Sequence, residues 1–265
     1  MASFTIGKYL PLNSVVHKMD PRCKILAMLI MLIAIMMPVG YLGYAIIGTI
    51  IVGFTLLSKL KLSFVIKAIR PMLFMLCFLL VINMMVIKTG TLLVTVFGFS
   101  IYSDAVFQTL FIAIRLIMMI MITTVLTTTT KPLDLTLGIE DLLSPFKKIG
   151  VPAHEIAMMI SIALRFIPTL IEETQRIMRA QASRGVDLEE GSLGEKVQAI
   201  LSLIVPLFVS AFQRAEDLAN AMEARGYIPG ETRTRYKQLK MKSYDYILMI
   251  AVSLIFILMM VFVFV

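Results

Sequence analysis

Few side chains in this sequence have the chemistry that a catalytic or metal site needs. The histidines are His17 and His154 and the cysteines are Cys23 and Cys77, all isolated from one another in the chain. His154 and the glutamate after it begin the HExxH pattern of a zinc metalloprotease, but Met158 stands where the second histidine is required. The sequence also contains no GxxxxGK[ST] phosphate-binding loop. We therefore expect no enzyme activity, no metal site and no cofactor bound by this chain.

Two arginine–glycine pairs are the most distinctive polar features. The residues concerned are Ala182, Ser183, Arg184 and Gly185 in the first, and Ala224, Arg225 and Gly226 in the second. A glycine just past a helix adopts the left-handed conformation that caps the last turn, and a nearby arginine faces the negative end of the helix dipole. Each pair alone is typical of a well-capped helix. Together, they predict two helix ends that enter grooves on another protein, where a guanidinium bonds to carboxylates or carbonyls.

Long amphipathic segments precede both pairs. Apolar residues recur at steps of three and four from Ala153 to Arg184 and again from Ser192 to Ala224, which predicts two helices with one apolar face each. Pro168 and Pro206 lie mid-segment and should kink these helices, because proline lacks the amide N–H. The apolar part of the second segment, about 16 residues, is short for a membrane span. We expect this helix to lie against the membrane or across its partner.

Composition places the rest of the chain in a membrane. The 265 residues are 59% hydrophobic and 16% charged, with a mean hydropathy of +0.91, whereas soluble domains have about 25% charged residues. Apolar stretches of a length suited to crossing a bilayer predict about five spans. They are Ile25–Met37, Tyr41–Leu57, Met72–Ile87, Ala105–Leu126 and Tyr244–Val265. The uncharged segment Leu92–Phe99 is predicted to be re-entrant or interfacial.

The distribution of charge predicts a topology. Residues 131–242 hold fifteen Lys/Arg and fourteen Asp/Glu, so the net charge of +8 arises mostly from short basic loops beside the apolar stretches. Lys and Arg are enriched in cytoplasmic loops, and this pattern argues against a nucleic-acid partner. We predict a four-span bundle in residues 1–130 with a cytoplasmic N-terminus, a cytoplasmic or interfacial coupling domain in 131–242, and a C-terminal transmembrane helix in 243–265.

The ordered set of motifs resembles a known family, the transmembrane coupling subunits (T components, EcfT) of energy-coupling factor transporters. The resemblance extends over nearly the whole chain. The residues that carry it are Asp20-Pro21-Arg22 with Lys24, Thr127–Thr130 with Pro132 and Asp134, Ala163–Pro168 with Glu172, and the two Arg-Gly ends. Ser183 stands where the family motif has alanine, a small change that we expect to be tolerated.

The resemblance implies an all-α polytopic membrane protein of the cell membrane with a pair of long coupling helices. Their two ends would dock on a pair of ABC-type ATPases, one each, and those partners would bind ATP and Mg²⁺. A separate membrane subunit, the S component, would capture a vitamin or metal ion and be reoriented by ATP-driven movement. The chain has 21 methionines, flexible side chains that suit surfaces which repack. We hypothesise that a Met-rich face accepts interchangeable S components.

Two other functions stay open from the residues alone. A self-contained secondary transporter would need ionisable groups near the membrane midplane, and the spans offer little besides Arg115 and Asn83. A charge at the depth of Arg115 costs about 3 kcal/mol on insertion scales, so we expect it to face the bundle and find a partner, with Asn83 as one candidate. It would serve as a structural lock between helices or as part of a substrate path. A membrane scaffold is the second alternative.

Overall fold

The computed structural model describes residues 9–60, 62–96, 99–186, 192–229 and 238–264. This part of the chain forms nine α-helices, one β-hairpin and a short 3-10 helix at Ser144–Ile149. The elements are α1 (Val15–Lys18), α2 (Pro21–Met36), α3 (Gly40–Leu57), α4 (Leu62–Val86), β1 (Leu92–Val96), β2 (Phe99–Tyr102), α5 (Ser103–Thr129), α6 (Pro132–Leu143), α7 (Ala153–Ser183), α8 (Leu193–Ala224) and α9 (Ser243–Phe264). Val265, at the end of the last predicted span, and residues 97 and 98 of the predicted 92–99 segment lie outside the described residues.

The chain divides into two compact units. We call residues 7–139 and 239–265 the bundle unit, and residues 140–238 the helical-pair unit. The predicted division into 1–130, 131–242 and 243–265 rests on charge and hydropathy and stays a prediction.

The core of the bundle unit lies between α2, α3, α5 and α9. Buried aliphatic and sulfur-containing side chains from all four helices form it, among them Ala34, Ile35, Ile47, Ile51, Met118, Val252 and Met259. Helix α4 packs against α5 and β2, and much of its apolar surface faces outward, with Phe74 83% exposed. An all-α membrane bundle is therefore confirmed, and its outward apolar surface suits contact with lipid.

Within the described residues, six helices are long and apolar enough to cross a membrane: α3, α4, α5, α7, α8 and α9. The first predicted span corresponds to α2, which has 16 residues and is shorter than the typical span of about 20. Helices α7 and α8 are among these six because each contains a long apolar stretch with few charged residues. Length and composition do not separate crossing helices from surface helices, so placement of α7 and α8 outside the membrane stays a prediction.

The segment between α4 and α5 contains a β-hairpin. Strands β1 and β2 pair antiparallel, with Leu92 opposite Tyr102 and Val96 opposite Phe99. Its base is closed by Thr91 and Ser103, since the Ser103 N–H donates to the Thr91 carbonyl at 2.9 Å and the Thr91 N–H donates to Ser103 Oγ at 3.1 Å. Hydrogen bonds between the two strands pair backbone N–H and C=O groups of this segment without a helix. The described part of the segment therefore pairs as a hairpin, and its re-entrant or interfacial position stays a prediction.

Candidate functional site

Helix α7 ends in a Schellman motif formed by the first Arg-Gly pair. Gly185 has a φ of +80°, a left-handed conformation that glycine adopts without steric cost. Its N–H donates to the Ala182 carbonyl at 3.0 Å, and the Val186 N–H donates to the Gln181 carbonyl at 3.0 Å. These two bonds satisfy carbonyls that the end of a helix otherwise leaves without partners. Arg184 is the C-cap residue of α7.

Helix α8 ends with the same geometry at the second pair. Gly226 has a φ of +71°, its N–H donates to the Glu223 carbonyl at 2.8 Å, and the Tyr227 N–H donates to the Met222 carbonyl at 2.9 Å. Arg225 is the C-cap residue, as Arg184 is for α7. The backbone therefore presents both arginines at equivalent positions, one residue before a left-handed glycine.

Both arginine side chains are exposed. Among the described residues, neither guanidinium has an ion-pair or hydrogen-bond partner. The small residues before them, Ala182, Ser183 and Ala224, are exposed as well, so each helix end has a narrow profile. An exposed guanidinium with five donors on a rigid, narrow helix end is suited to bind carboxylates or carbonyls on another protein.

Side chains of α7 and α8 hold the two helices together. Arg214 Nη2 donates to Glu173 Oε2 at 3.1 Å, and Gln181 Nε2 donates to the Ser202 carbonyl at 3.3 Å. Gln181 follows Glu173 in α7, whereas its partner Ser202 precedes Arg214 in α8. The two helices therefore run antiparallel.

The predicted docking ends are therefore separated within the helical-pair unit. Arg184 lies just beyond the Gln181 contact, whereas Arg225 is well past the Arg214 contact on the opposite side. At a rise of about 1.5 Å per residue, the two ends are on the order of 30 Å apart. The structure does not bring them into one site; it presents two similar ends at two positions.

The two prolines lie within continuous helices. Pro206 cannot donate a bond to the carbonyl four residues earlier, which belongs to Ser202. That carbonyl is the acceptor for Gln181 of α7, so the proline provides the acceptor for a bond between the helices. Pro168 similarly leaves the Leu164 carbonyl without its helical donor. The bend at each proline stays a prediction.

A buried polar network lies at one end of the bundle unit and contains the Asp-Pro-Arg and threonine motifs. Asp20 caps α2, and its carboxylate accepts from the Arg22 N–H at 2.9 Å and from Arg22 Nε and Nη2 at 3.1 and 3.0 Å. Lys24 Nζ donates to the Thr129 carbonyl and to Thr130 Oγ1, both at 3.2 Å. The threonines end α5, so the ammonium also faces the negative end of that helix dipole. Motifs that are about a hundred residues apart in sequence therefore meet.

The segment before α2 is fastened to the same end of the bundle. The Leu10 N–H donates to the Thr128 carbonyl at 3.0 Å, and His17 Nε2 lies 3.0 Å from the Leu10 carbonyl. Because a carbonyl only accepts, His17 must carry its proton on Nε2, which leaves Nδ1 to accept from Ser14 Oγ at 2.7 Å in the neutral ring. Burial lowers the pKa of His17, while the hydrogen bond to Leu10 acts to raise it. His17 thus has a structural role.

The partner of Arg115 is a tyrosine on α3. Its Nη2 donates to the Tyr44 hydroxyl, and its guanidinium carbon lies 5.7 Å from the centroid of that ring. Asn83 instead donates to Thr109 Oγ1 at 2.9 Å, so the expectation that Asn83 pairs with Arg115 is wrong. Tyr44 was missed because its position beside α5 depends on the packing of helices α3 and α5. The contact supports the interpretation of Arg115 as a lock between helices.

His154, considered above for a metal site, lies at the start of α7. Its Nδ1 is 2.8 Å from Glu140 Oε1, a carboxylate that is 5% exposed. Among the described residues, no group of three or more His, Cys, Asp or Glu could hold a metal ion. His154 therefore connects α7 to α6 within the helical-pair unit.

Comparison with known proteins agrees with this architecture. A family model described as CbiQ, cobalt transport protein, matches residues 12–236. The chain is 44% identical over 239 residues to the energy-coupling factor transporter transmembrane protein EcfT of Bacillus subtilis (strain 168), covering 90% of each chain. The EcfT protein of Thermosediminibacter oceani is 45% identical over 241 residues, 91% of each chain, and that of Staphylococcus aureus (strain 04-02981) is 43% identical over 235 residues, 89% of this chain and 88% of that one.

The chain belongs to the EcfT (CbiQ) family. The resemblance drawn from the sequence motifs is thereby confirmed, and with it a multi-pass transmembrane component of an energy-coupling factor transporter. The EcfT relatives match about nine-tenths of the chain and the family model matches residues 12–236, so most of the bundle unit and most of the helical-pair unit lie within the matched region.

One residue of the EcfT polar network was missed in the sequence. Asp245, at the start of α9, is 1% exposed; its Oδ1 accepts from the Asp20 N–H at 2.9 Å and its Oδ2 from the Lys242 N–H at 2.8 Å. The available signal was a lone carboxylate beside a strongly apolar stretch, since Asp245 is one of only three acidic residues outside 131–242. An isolated charge at such a position needs a partner within the fold.

Proposed function

We propose that this chain is the energy-coupling subunit of an ATP-driven importer. It transmits movement from two ABC-type ATPases, which bind ATP and Mg²⁺, to a separate membrane subunit that binds a vitamin or metal ion. The chain itself is not catalytic and holds no cofactor. Its relatives are energy-coupling factor transporter transmembrane proteins, which supports this role.

The observation that carries the proposal is the duplicated helix end. Arg184 and Arg225 occupy the same position in two Schellman motifs, are exposed, and are on the order of 30 Å apart by the helix rise. A single docking protein would need one such end, whereas two similar partners need two. Each end therefore docks on one ATPase. A secondary transporter is less well supported, because Arg115, its main candidate charge, is bonded to Tyr44.

The proposal includes a topology. Because docking on the ATPases requires access to ATP, the helical-pair unit is cytoplasmic, and the basic loops place the N-terminus on the same side. Cysteine substituted at Arg225 should react with a membrane-impermeant maleimide in inside-out vesicles and stay unreactive in right-side-out vesicles. The reverse labelling would contradict this topology.

The test of coupling uses the double variant Arg184→Ala/Arg225→Ala. The affinity-tagged chain is purified from its native membrane with its partners, which are identified by mass, and reconstituted in liposomes. ATP hydrolysis and uptake are measured with radiolabelled riboflavin, biotin, folate and Co²⁺ as probes. The double variant should fold normally and lose ATP-driven uptake. Each single variant should co-purify with less ATPase subunit than the wild-type chain does.

The matched control is Arg176→Ala, which removes an exposed arginine of α7 about two turns before its end. We expect the control to recover both ATPases and to transport at the wild-type rate. Uptake at the wild-type rate by the double variant would refute the docking role, and so would isolation of an active wild-type complex without any ATPase. Exchange of the co-purified S component when others are overproduced would support interchangeable partners.

A further inference from the structure

The chain passes out of the bundle unit after Ile139 and re-enters it at Leu239. We call these two points of the chain the outgoing and the returning crossing. They are the covalent connections through which movement of α7 and α8 can reach the helices of the bundle unit. Within the bundle unit, the residues beside both crossings contact one short stretch, residues 20–24, which forms the N-cap and first turn of α2. We call this stretch the α2 anchor.

The chain leading to the outgoing crossing is fastened through Lys24, at a point about ten residues before Ile139. Its ammonium group donates to the Thr129 carbonyl and to Thr130 Oγ1 at 3.2 Å each, at the junction between the end of α5 and the start of α6. Lys24 is 6% exposed and the two threonines are 2% and 4% exposed, so solvent does not compete for these bonds. The end of α5 is therefore fixed to the α2 anchor.

Helix α6 packs on the same anchor as it leaves the bundle unit. A Cβ added at Gly138 would lie 3.2 Å from Pro21 Cβ and 3.4 Å from the Arg22 nitrogen. The first distance is shorter than ordinary van der Waals contact and the second is at its lower limit, so the backbone of α6 lies directly on the first turn of α2. This contact is one residue before the outgoing crossing.

The returning crossing is fastened through Arg22. Its Nη2 donates to the Leu239 carbonyl at 3.1 Å, and the same nitrogen donates to Asp20 Oδ2, which holds the guanidinium in place. A few residues later, the Asp245 carboxylate joins the Asp20 N–H to the start of α9. The first residue to re-enter the bundle unit is thus bonded to the anchor directly.

The charges indicate that these contacts do more than fill space. Asp20, Asp134 and Asp245 are the carboxylates whose charges act on buried Lys24. Desolvation makes such groups expensive, and well-packed apolar residues often give equal or better stability. What charged hydrogen bonds add is direction, because they fix specific carbonyls at specific distances.

We propose that the α2 anchor is where movement of α7 and α8 is transferred to the membrane bundle, with Arg22 and Lys24 as the positioning residues. The inference rests on the proposed coupling function. With both crossings fixed to one turn of α2, a displacement of the helical-pair unit moves α2, α5 and α9 together. Without the two basic side chains, the displacement moves only the chain at the two crossings and is not passed on to α2, α5 and α9. ATP is then hydrolysed without reorientation of the substrate-binding subunit.

The test variant is Arg22→Gln/Lys24→Met, which keeps most of each aliphatic stem and removes both charged donors. The matched control, Arg70→Gln/Lys67→Met, makes the same changes at two exposed residues of α4. The whole complex is reconstituted in liposomes, and uptake of the probe that the wild type accumulates is divided by ATP hydrolysed. We expect the test variant to retain both ATPases and at least half of the ATP hydrolysis, with uptake per ATP at least tenfold lower. The control should stay within twofold of wild type.

A purely structural role would lower complex yield and ATP hydrolysis together and leave uptake per ATP unchanged, which would overturn the proposal. If the double variant does not assemble, Thr130→Val and Gly138→Ala take its place, because each weakens one contact and keeps the charges. Uptake per ATP should then fall at least twofold, and wild-type coupling in both would overturn the anchor. A wild-type complex that hydrolyses ATP but accumulates none of the probes would count against the proposed importer instead.

Discussion

The backbone N–H of Asp20 donates to Oδ1 of Asp245 across 2.9 Å, although 225 residues separate the two in sequence. The second carboxylate oxygen, Oδ2, accepts from the Lys242 N–H at the start of α9. One buried side chain therefore fastens the last helix of the bundle to the N-cap of α2. The stability of that end of the bundle should depend on it.

Asp245→Ala should destabilise the bundle unit by about 2–4 kcal/mol. The change leaves two backbone N–H groups without their acceptor and removes one of the carboxylates that act on buried Lys24. Unfolding of the purified chain in detergent, followed by circular dichroism against temperature and denaturant, measures the loss. Asp217→Ala, at an exposed position of α8, is the control and should change stability by less than about 0.5 kcal/mol. Equal stability of both variants would contradict the role given to Asp245.

Tyr44→Phe should cost more stability than Arg115→Met. Removing the hydroxyl takes away the acceptor of Arg115 Nη2, and Arg115 Nε already has no partner among the described residues. We expect a loss of about 1–3 kcal/mol from a buried charged donor without a partner. Removing the arginine leaves the Tyr44 hydroxyl still donating to the Met37 carbonyl at 3.1 Å, so its cost should be smaller.

A double-mutant cycle measures this asymmetry by unfolding. The double variant should be less stable than Arg115→Met alone by only about 1 kcal/mol, the cost of the Tyr44 bond to the Met37 carbonyl, because no guanidinium is left without an acceptor. Tyr41→Phe serves as the control, because Tyr41 is 67% exposed and should tolerate the change. If Tyr44→Phe were as stable as wild type, the interhelical lock would be disproved.

Gly185→Ala and Gly226→Ala should weaken the ends of α7 and α8, respectively. The left-handed conformation costs a residue with a Cβ about 1–2 kcal/mol, and both glycines adopt it. Gly194→Ala should act in the opposite direction, because Gly194 lies in the first turn of α8 with open space around its Cβ position and alanine is the better helix former. Amide hydrogen exchange of the last turns gives the readout. Faster exchange after Gly194→Ala, or unchanged exchange in the two cap variants, would contradict the assigned geometry.

Sequence patterns were sufficient for features that depend on neighbouring residues. The ends of α7 and α8 follow from glycine in a left-handed conformation after a long amphipathic stretch, and the structure places Gly185 and Gly226 in that conformation. The apolar stretches likewise indicated most of the membrane helices, because burial in lipid requires them to be long and uncharged.

Features that depend on which helices become neighbours could not be predicted. Arg115 needed a partner, but the choice of Tyr44 over Asn83 depends on how α3 packs beside α5. The Gln181 bond to the carbonyl freed by Pro206 depends in the same way on the alignment of α7 with α8. The hairpin at 92–102 was missed because an uncharged, β-branched segment next to membrane helices fits several backbone conformations.

The path of the chain through the polar network also affects how the protein is made. Asp20, Arg22 and Lys24 are translated early, whereas Leu239 and Asp245 leave the ribosome only after the whole helical-pair unit. The Lys24 contacts can form once α5 has been made, whereas the bond to Leu239 must wait for the end of the helical-pair unit and the bond to Asp245 for the first turn of α9. The network therefore closes only when the start of α9 has been made and the Asp245 carboxylate can reach the Asp20 N–H.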